Sequence, residues 1–129
     1  MTRPSFREGE DEERTTGVDT SLVQNGAELA HWRGALQIHF WFERLLPACD
    51  HEQVVLVEQY QLKALLRTLR RVEKRHILAR FLLPDPRPLT PGFSPYNGWY
   101  FHEITRSIAQ LEHVLSVRPL GRIYYRTSW

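Results

Sequence analysis

Leu29, Trp32, Leu36 and Phe40 recur at three- and four-residue intervals, and Ile38, Trp41, Phe42, Leu45 and Leu46 widen that stripe until it nearly encircles the last turns. This spacing predicts a first helix within 21–46, ended by Pro47. Ser21 and Gln24 have the interval of a reciprocal cap, while the turn signal Asn25-Gly26 allows a start nearer Ala27. A helix apolar on most sides is either centrally buried or used as an interface.

Val55, Leu62, Leu65, Leu69, Val72 and His76 carry the same period. With Asp50 and Gln53 at cap spacing they predict a second helix over 50–82. A break near His76, with Ile77 to Leu83 as a short strand, is the alternative. Pro84, Pro86, Pro88 and Pro91 make 84–94 an extended connector, because proline fixes φ and has no N–H to donate. Ser94 and Pro95 open a third helix over 95–117, with Tyr100, Ile104, Ile108, Leu111 and Leu115 on its buried stripe. Pro119 and Gly121 stop it. The stretch from Arg122 to Trp129 has strand-like composition and either packs across the bundle or adds to a partner's sheet edge. The expected fold is all-α: a three-helix bundle at 21–129, one helical domain, with a short extended C-terminal segment.

Charge changes the picture at two places. Residues 1–20 set Arg3, Arg7 and Arg14 against Glu8, Glu10, Asp11, Glu12, Glu13 and Asp19, with little apolar content. Such a segment cannot offset its ordering entropy by burial and is expected to be a disordered acidic tail. From Lys63 to Arg80, seven cations face Glu73 alone. Lys63, Arg67, Arg70 and Lys74 follow the helical period on the polar side, and Arg71 and Arg75 broaden the row. Such a stripe can neutralise several phosphates by releasing condensed counterions, with arginine adding bidentate contacts. It can also be a solvated face, or the docking surface of an acidic protein.

The aromatic residues suggest a second activity. Trp32, Phe40, Trp41 and Phe42 on the first helix, with Tyr124 and Trp129 in the tail, are of the types that anchor protein interfaces. They predict a homo-oligomer or a place in a larger complex; core closure is the structural alternative for the tail residues.

Motifs for catalysis are sparse. Glu28 with His31, and Glu73 with His76, share the i, i+3 spacing used by di-metal helix bundles, and Glu43, Glu58, Glu103 and Glu112 are the further carboxylates such a site needs. With only three helices, no metal site and no cofactor is expected. Cys49 lies before a helix start with His51 close in sequence, but proximity in sequence does not make a nucleophile–base pair. No nucleophile elbow, phosphate-cradling glycine loop or C-x-x-C pair occurs. One cysteine excludes an intrachain disulfide and suits a reducing compartment. No signal-peptide core and no membrane-length apolar run is seen, so an intracellular protein, cytoplasmic or nuclear, without a membrane partner is expected, or one exported by another route.

Arg14-Thr-Thr-Gly17, Gln24-Asn-Gly26, and Tyr60-Gln-Leu-Lys-Ala-Leu65 ahead of His76 and the proline connector resemble the replication-enhancer proteins of geminiviruses. The matches are short, and that family's late asparagine- and isoleucine-rich block is missing here. The resemblance implies a replication accessory role and transfers no site residue. The expected function is a non-enzymatic accessory subunit that binds nucleic acid, DNA or RNA, through Lys63, Arg67, Arg70, Arg71, Lys74 and Arg75. The alternatives are an adaptor acting through the aromatic face of the first helix and a metal-dependent enzyme.

Overall fold

Asn25 and Gly26 both have positive φ, 52° and 81°, the backbone that a two-residue hairpin turn demands. They join β1 (Asp19–Gln24) to β2 (Ala27–Arg33) as an antiparallel pair. The computed structural model describes residues 19–45, 54–116 and 122–128. Beyond the hairpin come α1 (Leu36–Leu45), β3 (Val54–Val57), α2 (Gln59–Lys74), a 3-10 turn (His76–Leu78), the short α3 (Ala79–Leu82), α4 (Gly98–Ser116) and β4 (Ile123–Ser128). The four strands form one antiparallel sheet in the order β2-β1-β4-β3.

The all-α bundle is therefore overturned: the fold is mixed α/β. The segment read as a first helix divides into a hairpin and a ten-residue helix. Gly34, at φ 72°, turns the chain between them. Trp32 and Phe40 do recur at helical spacing, but Leu22, Ala30 and Trp32 alternate as a strand does, and all three are buried. The segment read as the start of the second helix contains the run Val-Val-Leu-Val of β3, whose β-branched side chains favour a pleated surface. The helix begins after Glu58, whose backbone N–H donates to the Gln61 side chain at 2.8 Å. It stops at Arg75, which leaves helical geometry (φ −137°, ψ 95°). The chain then continues as the 3-10 turn and α3, not as a strand. Of the acidic tail assigned to 1–20, Asp19 and Thr20 open β1; the remainder lies outside the described residues, as do Cys49, His51 and Trp129.

One face of the sheet is apolar. Leu22, Ala30, Trp32, Val57, Ile123 and Tyr125 are all buried, and in register Leu22 lies between Ala30 and Tyr125 while Val57 faces Ile123. Helix α1 sits on this face: Phe42 stacks on Tyr125 with centroids 4.0 Å apart, and the His39 ring shares a 2.8 Å hydrogen bond with the Tyr125 hydroxyl. Helix α4 is tied to the same face where the Trp32 indole N–H donates to the Ser107 hydroxyl at 2.7 Å. Helix α2 packs on α4, contributing Leu62, Leu65, Leu66, Leu69 and Val72 to the core.

The two sheet edges are treated differently. On β2, the Gln110 side chain accepts the His31 N–H at 2.8 Å and donates to the His31 carbonyl at 3.1 Å, standing in for a neighbouring strand. Arg106 adds a second donor to that carbonyl. On β3, Val54 and Leu56 are exposed, and no further strand pairs with it among the described residues.

The proline connector is pinned to the fold. Asp85 is buried and holds Arg87 through both carboxylate oxygens, at 3.0 and 2.9 Å. The Tyr96 hydroxyl accepts the Asp85 N–H, and the Tyr100 hydroxyl donates to the Leu83 carbonyl at 2.6 Å. Burial, followed by the neighbouring Tyr96 and Asp85, pushes the Tyr100 phenol far above its ordinary pKa.

Candidate nucleic-acid interface

The buried residues of α2 recur on one side of the helix, and Lys63, Arg67, Arg70, Arg71 and Lys74 occupy roughly 100° of arc largely opposite them, at 3.6 residues per turn. All five, and Arg75 at the helix end, are exposed. The helix forms because its leucines at 62, 65, 66 and 69 have an apolar partner in α4, and the same periodicity then delivers the cations together into water.

Neutralisation decides whether such a row can attract a polyanion. Arg70 is engaged: its guanidinium lies 2.5 Å from Glu112 of α4. Lys63, Arg67, Arg71, Lys74 and Arg75 form no ion pair among the described residues. The acidic residue within the row, Glu73, accepts a hydrogen bond from the Thr105 hydroxyl at 2.9 Å. Four of the six cations singled out from sequence therefore share one open face, Arg75 is exposed at its end, and Arg70 is paired with Glu112.

Tyr60 extends the row. It precedes Lys63, Arg67 and Arg71 by three, seven and eleven residues and so stands on their side of the helix. The residue is 68% exposed. At the other end, the chain leaving Arg75 forms an open groove of about 450 Å³ lined by His76, Ile77, Arg80, Phe81, Tyr96 and Phe101. The His76 ring stacks on Phe101 at 3.8 Å, and the Arg80 guanidinium stands 5.7 Å above the Tyr96 ring. Sequence reading missed Tyr60 and Phe81 and counted Arg80 only among the seven cations of the basic segment. Tyr60 was recognisable from its helical interval to the cations, whereas the groove depends on the change of chain direction at Arg75.

The aromatic set read as an interface is dispersed. Trp32 and Phe42 are fully buried in the core, Trp32 on a strand and not on the first helix. Phe40, Trp41 and Tyr124 are partly exposed. The two Glu/His pairs do not converge either. Glu28 and His31 lie on a strand, so their spacing loses its helical meaning; Glu28 accepts from the Ser21 hydroxyl and His31 pairs with Asp19. Among the described residues, no three His, Cys, Asp or Glu side chains cluster as metal ligands. Among the same residues, no helix is long and apolar enough to cross a membrane.

No family model, curated protein or solved structure matches the chain.

Proposed function

We propose that this protein is a non-enzymatic accessory subunit that binds nucleic acid through the basic face of α2. The observation that carries this reading is the set of Lys63, Arg67, Arg71, Lys74 and Arg75, all exposed and none in an ion pair among the described residues. Each phosphate they neutralise releases a counterion, so affinity must fall as salt rises. The single cysteine suits the reducing, intracellular compartment in which such a partner is met.

The test is fluorescence anisotropy with the full chain and labelled oligonucleotides over a salt series. A steep linear fall of log affinity with log salt is expected. Arg67→Gln and Arg71→Gln should each flatten the slope by about one. Removing residues 1–18 should tighten binding, because their carboxylates compete with phosphate for the row; the deletion stops there because Asp19 and Thr20 belong to β1. A flat salt response overturns the reading.

A second role, assembly with another copy or a partner subunit, is supported by β3 and no longer by the first helix. β3 is an apolar strand with exposed Val54 and Leu56 and, among the described residues, a strand neighbour on one side only; such an edge can pair with another strand.

A further inference from the structure

Three large apolar side chains stand out from the surface at about the same exposure: Phe81 at 70%, Ile77 at 69% and Tyr60 at 68%. A single exposed apolar residue is ordinary on a protein surface. These three flank the cation row. Tyr60 is at the start of α2, and Ile77 and Phe81 are in the groove just beyond its end. The sixteen residues between Gln59 and Lys74 span about 24 Å at 1.5 Å per residue.

The rings differ in what they already touch. His76 is stacked on Phe101, Tyr96 lies under Arg80 and edge-on to Tyr100, and Trp41 meets Phe42 edge-on. Phe81 and Tyr60 have no ring contact, cation contact or hydrogen bond among the described residues. Each presents a free ring face, Tyr60 at the start of α2 and Phe81 in the groove beyond its end.

A duplex has no use for them. Its bases are stacked inside, and a side chain on the outside meets sugar, phosphate or base edges. An unpaired strand offers a ring face at each nucleotide, and proteins that hold one combine a cationic track with aromatic platforms. Resting on the nucleic-acid reading above, we infer that the site takes an unpaired strand, with phosphates along Lys63, Arg67, Arg71 and Lys74 and bases stacked on Tyr60 and Phe81. Both contacts use parts common to DNA and RNA, so the site is indifferent to the sugar.

The experiment measures anisotropy of the full-length protein at one fixed salt. The probes are a labelled dodecamer DNA strand of mixed sequence, its RNA counterpart, the DNA duplex of that sequence, and an acidic peptide of equal charge. The strand should bind at least about tenfold more tightly than the duplex, with DNA and RNA within about threefold of each other. Phe81→Ala and Tyr60→Ala should each weaken strand binding by about tenfold and leave duplex binding unchanged. Both side chains are exposed, so matching melting curves verify that the variants fold. Equal or tighter duplex binding, ring variants without effect, or tighter binding of the acidic peptide overturns the strand inference. In each of those cases the cation row is judged separately by whether Arg67→Gln and Arg71→Gln weaken the bound polyanion. Absence of binding to every oligonucleotide overturns this inference and the nucleic-acid reading together.

Discussion

Tyr100 shows how one side chain couples the connector to the core. Its ring is 1% exposed, and its hydroxyl donates to the Leu83 carbonyl. Burial disfavours the phenolate, so the folded state holds this proton more tightly than the unfolded chain, whose phenols titrate near pH 10. A group whose folded pKa is raised supplies stability in full below its unfolded value. That stability is lost as pH climbs past it, because only the unfolded chain then gives up the proton. The contribution of Tyr100 to stability should therefore be constant through neutrality and be lost above about pH 10. Urea denaturation at several alkaline pH values checks this, and Tyr100→Phe should show a shallower alkaline fall. At neutral pH the same variant should lose about 1–3 kcal/mol, because the Leu83 carbonyl is left buried and unpaired. Tyr100 was legible from sequence as a stripe residue of the third helix. Its hydroxyl's partner was not, because that bond crosses from α4 to the end of α3.

At the scale of elements, the helices were more legible than the strands. Leu62, Leu65, Leu69 and Val72 fit the 3.6-residue period and lie on α2, and Tyr100, Ile104, Ile108 and Leu111 fit it and lie on α4. In β1 and β2 the period was ambiguous. Leu29, Trp32 and Leu36 fit a helix, while Leu22, Ala30 and Trp32 fit a strand, and local spacing does not choose between them. Asn25-Gly26 was the deciding signal, since a turn with φ positive at both residues cannot lie inside a helix. The basic row was legible because it shares the period of α2. Tyr60 was legible on the same period, whereas Phe81 was not, because it reaches the groove only after the helix breaks. The edge strand carries a consequence of its own: Val54 and Leu56 expose apolar surface on a strand that has β4 as its only strand neighbour among the described residues. Sedimentation should show a species heavier than one chain. Leu56→Lys should raise its dissociation constant by at least about tenfold, since charge on an edge strand is a known block to pairing. A wild-type chain that sediments as a monomer at every concentration refutes the edge reading.

For the whole molecule, the decisive fact is that β4 occupies an inner position in the sheet. It pairs with β1 on one side and β3 on the other. The segment from Arg122 to Trp129 was recognised as strand-like, but with no other strands expected it had no place in a sheet. Its partners Leu22 and Val55 had been assigned to helices. A chain ended before Ile123 loses Ile123, Tyr125 and Thr127 from the interior and leaves β3 without a neighbour. It should show no cooperative thermal transition, whereas the full chain should unfold in one; circular dichroism at a fixed wavelength distinguishes them.

Asp19, the first described residue, is paired across the sheet with Ser128, the last. The fold is thus fastened like a belt, its two extremities buckled side by side. During synthesis the hairpin and the helices can be made early, but the hairpin stays unjoined to β3 until residues 123–128 emerge. Pairings so distant along the chain are slow to find each other. Until that clasp closes, Leu22 lacks Tyr125 beside it and Phe42 lacks the ring on which it stacks, so the apolar face is incomplete and the partly made chain is exposed to aggregation.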